Sequence, residues 1–139
     1  MRKSKPLRLV IDTNIWISLL ISKKLETLDN LFFSKEIEIL FSEELIDELK
    51  VTISKPKLKK HFGKRNALEE MLLVFEPYMD FIEVKKQVNV CRDEKDNFLL
   101  ALAEEGEVDY LITGDDDLLV LRSFKKTRII TISDFLKMM

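Results

Sequence analysis

The apolar positions of this 139-residue chain change period several times, and each change marks an element. Residues 7–11 form a short apolar run broken only by Arg8 and bounded by Pro6 and Asp12, the pattern of a buried strand. Residues 13–22 and 25–34 carry apolar side chains at helical spacing, and 36–41 alternates Ile37, Ile39 and Phe41 with Glu36 and Glu38 as a second strand does. Ser42 reads as an N-cap. Behind it Leu45, Ile46, Leu49 and Ile53 form one stripe on a helix that begins with acidic residues, as the positive end of the helix dipole favours. Lys55-Pro56 ends that helix, because the residue before a proline is pushed out of helical geometry.

Further along, residues 64–76 read as an amphipathic helix, 81–84 as a short strand, 96–105 as a helix closed by Gly106, 108–113 as a clear strand and 128–132 as the last strand, with a closing helix from Ser133. Parallel neighbours need crossover connections, and helical stretches of this length supply them. The expected fold class is therefore α/β, a three-layer sandwich with a mainly parallel central sheet flanked by helices. Sites in such sheets form beyond the carboxyl ends of strands. Asp12 directly follows the first strand and Asp115 lies two residues past Thr113, so both fall on one rim. Trp16 and most of the nine Phe residues fall on apolar faces and are expected in the core.

Composition narrows the class without changing the picture. With 46% hydrophobic and 35% charged residues, three prolines and three glycines, residues 1–139 are expected to form one globular domain. The single cysteine, Cys91, has no intrachain disulfide partner, which makes a reducing, cytoplasmic location the expectation. Behind the basic start the apolar stretch is broken by Asp12 and Asn14, too soon for a signal peptide or a membrane span, so no membrane association is expected.

The formal net charge of −2, from 25 acidic and 23 basic side chains, gives no global attraction to nucleic acid. The charge is segregated instead. Lys55, Lys57, Lys59, Lys60, His61, Lys64 and Arg65 stand in a stretch without acids that reads as a Lys-rich loop, whereas Glu43, Glu44, Asp47, Glu48 and later Asp115, Asp116 and Asp117 form acidic blocks.

Asp12, Glu48, Asp96 and Asp115 stand apart from ordinary surface charge. Taken singly, Asp12 and Asp96 read equally well as helix caps, Asp115 as a turn residue after Gly114, and Glu48 as a solvated helix charge. Taken together, two strand-end carboxylates with a third at a helix start and a fourth beside an apolar stripe would crowd anions that repel strongly where water is partly excluded. Such a cluster needs a cation, and an all-oxygen donor set selects a hard ion, Mg²⁺ or Mn²⁺. One His and one Cys cannot assemble a zinc centre or a two-histidine ribonuclease, His61 sits beside no nucleophile motif, and three glycines build neither G-x-G-x-x-G nor a P-loop. Carboxylate-held metal chemistry on phosphate remains.

Four blocks carry a family resemblance: Leu-Val-Ile-Asp-Thr-Asn at 9–14, Phe-Ser-Glu-Glu-Leu-Ile-Asp-Glu-Leu at 41–49, Cys-Arg-Asp-Glu-Lys-Asp-Asn-Phe-Leu at 91–99, and Tyr-Leu-Ile-Thr-Gly-Asp-Asp-Asp-Leu-Leu at 110–119. Through them nearly the whole chain resembles the PIN domain, named from the PilT amino terminus and shared by nucleases that include toxins of toxin-antitoxin modules. The resemblance implies that Asp12, Glu48, Asp96 and Asp115 are the catalytic carboxylates and the ligands of one or two Mg²⁺ or Mn²⁺ ions. Two ions would lie about 3.5–4 Å apart, with Asp12 as the bridging carboxylate. Asn14 and Thr113 match positions that support the metal shell through hydrogen bonds, and Asp93 and Asp117 stand close enough in sequence to assist or substitute. Glu94 occupies a position where proline is common in the subgroup most alike, a departure that bears on the loop more than on the chemistry.

The same resemblance implies an endoribonuclease leaving 5′-phosphate and 3′-hydroxyl ends, an RNA substrate, an antitoxin partner lying across the acidic groove, and a homodimer. Lys55, Lys57, Lys59, Lys60, Lys64 and Arg65 are the expected contacts to the RNA backbone, since neutralising phosphates is the main sequence-independent contribution to affinity. One alternative is a module that binds RNA or a partner through this surface without cutting. Another is a phosphatase of the haloacid dehalogenase kind, but that family wants an acid at position 14, here Asn, and an Asp four residues beyond Asp115, here Leu119.

Overall fold

The computed structural model describes residues 6–22, 24–34, 36–62 and 66–139. Strand β1 (Leu7–Ile11) is followed by helices α1 (Thr13–Ser22) and α2 (Leu25–Ser34), then by β2 (Ile37–Phe41) and α3 (Glu43–Ser54). Helices α4 (Pro56–Phe62) and α5 (Ala67–Phe75) lead through a short 3₁₀ turn to β3 (Met79–Phe81). After an extended stretch come α6 (Glu94–Glu105), β4 (Tyr110–Ile112), the single turn α7 (Asp116–Leu119), a hairpin of β5 (Ser123–Phe124) and β6 (Thr127–Ile130), and α8 (Ile132–Met138).

The strands form one six-stranded sheet in the order β3-β2-β1-β4-β6-β5, parallel throughout except for the β5-β6 hairpin. The fold is α/β, with a mainly parallel sheet flanked by helices. From β1 the order runs outward through β2 to β3, then jumps back past β1 to β4. Because parallel crossovers are right-handed, α1 to α5 and α6 cover opposite faces, and the order reverses between β1 and β4. That reversal opens a crevice beyond the carboxyl ends of these two strands.

Leu9, Val10, Ile11, Ile39, Leu40, Leu111 and Ile112 are fully buried in the sheet's centre. Burying side chains of this size contributes about 1.5–3 kcal/mol each before conformational entropy is subtracted. On one face the Trp16 ring of α1 stacks on Phe41 at 5.7 Å and meets Phe75 edge-on at 5.2 Å, tying α1, β2 and α5 together. Five phenylalanines, Phe32, Phe41, Phe62, Phe75 and Phe135, are buried as expected, whereas Phe33, Phe81 and Phe98 are exposed. Gly106 permits α6 to close on the sheet, since a Cβ there would lie 1.9 Å from Cδ2 of Leu40. Among the described residues no helix is long and apolar enough to cross a membrane.

Several boundaries differ from the sequence pattern. The Lys-rich stretch is not a loop: Pro56 ends α3 and also opens α4, because a missing N–H and a fixed φ suit the first helical position. Lys64 and Arg65 lie outside the described residues, and α5 begins at Ala67. The strand expected at 81–84 sits earlier, where Met79 to Phe81 pair with Ile39 to Phe41. Helix α6 starts at Glu94 with Asp93 as its cap, so Asp96 is inside the first turn and free of the capping role. Thr131 caps α8 and does not extend β6.

Candidate metal centre

Asp12 leaves β1 and turns its carboxylate into the crevice. Its Oδ2 accepts a 2.7 Å hydrogen bond from the Thr113 hydroxyl, and its Oδ1 accepts from the backbone N–H of Asn14 at 3.2 Å. Thr113 in turn accepts from the N–H of Asp115 at 3.0 Å. One hydroxyl therefore ties the end of β1 to the loop after β4. Asp115 caps α7, its Oδ1 accepting from the N–H of Asp117.

Glu48 reaches the crevice from the middle of α3, whose start is fixed by Ser42 accepting from the N–H of Leu45. Asp96 reaches it from α6. Asp12, Asn14, Glu48, Lys55, Asp93, Lys95, Asp96 and Asp115 line one cleft of about 130 Å³. One oxygen from each of the lining residues Asp96 and Asp115 and of Asp117 beside them lies within 4.8 Å of the others. The cleft thus gathers all four carboxylates singled out from the sequence, and Asp117 lies with two of them.

The electrostatics of this arrangement are unfavourable as it stands. At such separations two carboxylates repel by about 3–4 kcal/mol for an effective dielectric near 20, against about 1 kcal/mol from an ordinary hydrogen bond. Asp96 shows the strain most clearly. It is 4% exposed, and its Oδ2 is buried with no hydrogen-bond partner. Burial, followed by the neighbouring Asp115, Asp93 and Asp12, pushes its pKa up to about 7. Burial also raises the pKa of Asp12, opposed by the hydrogen bonds from Thr113 and Asn14 and reinforced by the charge of Asp115. Glu48 is raised by burial too, with Lys95 pulling the other way from 3.8 Å.

A divalent cation held among these oxygens would resolve this conflict. The donor set is all oxygen, one donor is buried with nothing to bond, and the anionic charge is concentrated in a cleft a few ångströms across. These residues fit a hard cation.

Residues 8–117 match the family model for the PIN domain. The chain belongs to the PIN-domain family. Membership leaves the phosphatase alternative without a basis. This PIN domain is 36% identical over 128 residues to the uncharacterized protein MJ1680 of Methanocaldococcus jannaschii, covering 86% of this chain and 78% of that protein. Its fold is shared with the PIN domain endonuclease Utp24, at a TM-score of 0.57 and 14% identity over 91% of this chain and 86% of that one. It is also shared with Mycobacterium tuberculosis VapC20, described as a Sarcin-Ricin loop cleaving toxin, at a TM-score of 0.53 and 12% identity over 86% and 98% of the two chains. At these identities the two likenesses concern the fold.

Three further residues of this PIN domain contact or adjoin its carboxylates and were given no role from the sequence. Lys95 faces Glu48, Arg92 holds Asp117 through both carboxylate oxygens, and the buried side chain of Asn97 accepts from the N–H groups of Val90 and Cys91 while donating to the Cys91 carbonyl. All three flank Asp93 and Asp96 in one block, which was the available signal. Asn14 supports Asp12 through its backbone N–H.

Proposed function

We propose that this chain is a metal-dependent endoribonuclease with Asp12, Glu48, Asp96 and Asp115 as its catalytic carboxylates and metal ligands. The observation that carries the reading is the buried Asp96 oxygen left without a partner inside a four-carboxylate cleft at the point where the strand order reverses. The ion is Mg²⁺ or Mn²⁺, one or two of them, because hard, small cations suit carboxylate and water ligands. A bound ion supplies Lewis acidity toward a phosphodiester and offsets the charge that builds on it during hydrolysis.

The protein's own groups prepare that chemistry. Thr113 and the Asn14 N–H fix both oxygens of Asp12, so its carboxylate is oriented before anything binds. Asp96, its pKa pushed up to about 7, is readily protonated at and below neutral pH and gives the proton up as its neighbours' charge is neutralised. Lys95 keeps Glu48 from adding a fully uncompensated charge to the cleft. Lys55 at the rim, with Lys57, Lys59 and Lys60 on α4, supplies positive charge for a phosphate backbone.

The biological role we propose is that of the toxin in a toxin-antitoxin module. RNA would be the substrate, an antitoxin segment would lie across the acidic cleft, and the protein would act as a homodimer in the cytoplasm. The experiment is cleavage of a pool of structured and single-stranded RNA with EDTA, Mg²⁺ or Mn²⁺, beside an Asp12→Asn, Asp115→Asn double variant. Cleavage confined to metal-loaded wild type is the expected result. Metal binding without cleavage of any RNA would favour a non-cleaving binding module.

A further inference from the structure

Beside the carboxylate cluster, one nitrogen of the Arg92 guanidinium donates to both oxygens of Asp117, at 3.1 and 3.0 Å. Asp117 is also one of the three carboxylates whose oxygens converge, together with Asp115 and the buried, unpartnered Asp96. One carboxylate would therefore serve two cationic positions. The guanidinium engages both of its oxygens, and a divalent ion drawing on the same group would bring two positive charges to close range.

Arg92 is not placed there at random. The three hydrogen bonds made by the buried Asn97 side chain hold the backbone at Val90 and Cys91, immediately before Arg92. Lys95, which lines the cleft with Lys55, makes a longer 3.8 Å contact, and its partner Glu48 lies outside the converging group.

We propose that Arg92 and the divalent cation compete for Asp117, which makes Arg92 a built-in antagonist of ion loading. This rests on the cation site proposed above, with Asp117 as a further oxygen donor beside Asp96 and Asp115. The competition is mild, because the Arg92 side chain is 86% exposed and exposed ion pairs contribute little. Its effect is to set how much free ion the cleft requires. Loading the ion would release the guanidinium from Asp117.

The test is isothermal titration of Mn²⁺ into the EDTA-stripped wild type, Arg92→Ala, Asp117→Asn and the double variant. Arg92→Ala is expected to bind Mn²⁺ about 2- to 5-fold more tightly than wild type, the range that loss of an exposed pair supports. That gain should vanish in the Asp117→Asn background. Arg92→Lys, which keeps the charge without the guanidinium's planar fork, should fall between. An equal gain in both backgrounds would mean that only a nearby positive charge had been removed, and it would overturn the competition, as would no gain at all. Absence of Mn²⁺ binding in all four proteins would overturn the cation site itself, an outcome distinct from binding without coupling.

Discussion

The hydroxyl of Thr113 donates a 2.7 Å hydrogen bond to Oδ2 of Asp12 across 101 residues of sequence, locking together the ends of β1 and β4. Thr113→Val keeps the side chain's shape and removes both this bond and the acceptor for the Asp115 N–H. We expect Mn²⁺ affinity to fall about 10- to 100-fold, the usual effect of losing a group that orients a ligand. Folding stability should fall by about 1–3 kcal/mol, as two buried or half-buried polar groups lose partners. Metal titration and urea denaturation check the two numbers, and unchanged affinity would show that Asp12 is oriented by other means.

Asp96 gives a pH dependence with a definite sign. Its pKa is about 7 in the folded protein against an ordinary 3.8, so between these values the native state keeps a proton that the unfolded chain releases. The ion-free protein should therefore lose stability as pH rises from about 4 to about 7, with no further loss from this group above that. Asp96→Asn removes the slope. At pH 8 the variant should be more stable than ion-free wild type by about 2 kcal/mol, less than full conversion of the shift because Asp115 shares the charge, and the advantage should shrink to a few tenths at about pH 4. Chemical denaturation with EDTA present measures this directly. In wild type the Mn²⁺ affinity should climb as pH rises toward about 7 and level off above it, since the same proton must leave first.

Much of this cleft was legible in the sequence because it depends on strand ends. An apolar run that stops at Asp12 and another that stops at Thr113 place Asp12 and Asp115 on one rim once the sheet is parallel. Glu48 was legible from its position beside the stripe of α3. What periodicity could not show was the role of short polar segments. Whether Asp93 or Asp96 caps α6 depends on one turn of register, and only the geometry shows Asp93 bonded to the Lys95 N–H with Asp96 left free inside. The turn α7 and the β5-β6 hairpin are too short to produce a period. Pro56 was correctly read as a terminator, but a terminator at that position is also a favoured first residue, and the chain uses it as both.

Asn97 is the least conspicuous of the positioning residues. Its side chain is buried and carries the backbone of Val90 and Cys91, so the path to Arg92 and Asp93 rests on it. Asn97→Ala leaves two N–H groups and a carbonyl without partners, at a cost of about 1–3 kcal/mol. Hydrogen exchange at Val90 and Cys91 should accelerate well beyond the change seen in β1 or β4. Uniform acceleration across the chain would instead indicate a general loss of stability with no local role for Asn97.

The lysines of α4 separate binding from chemistry. Leu58 and Phe62, four residues apart, turn toward the core, which leaves Lys57, Lys59 and Lys60 exposed on a helix that follows the rim residue Lys55. Replacing Lys57, Lys59 and Lys60 with Ala should weaken binding to single-stranded RNA and lower the slope of log affinity against log salt by up to about 2, at about 0.7 for each phosphate that is no longer neutralised. Cleavage at saturating RNA should change little, because these side chains stand outside the carboxylate cleft. Fluorescence anisotropy in Ca²⁺ across a salt series reads the slope, and single-turnover cleavage in Mn²⁺ reads the chemistry. A preserved slope would move the phosphate-binding role to Lys55 and Lys95 in the cleft lining and to Arg92 on Asp117, where their loss would disturb binding and cleavage together.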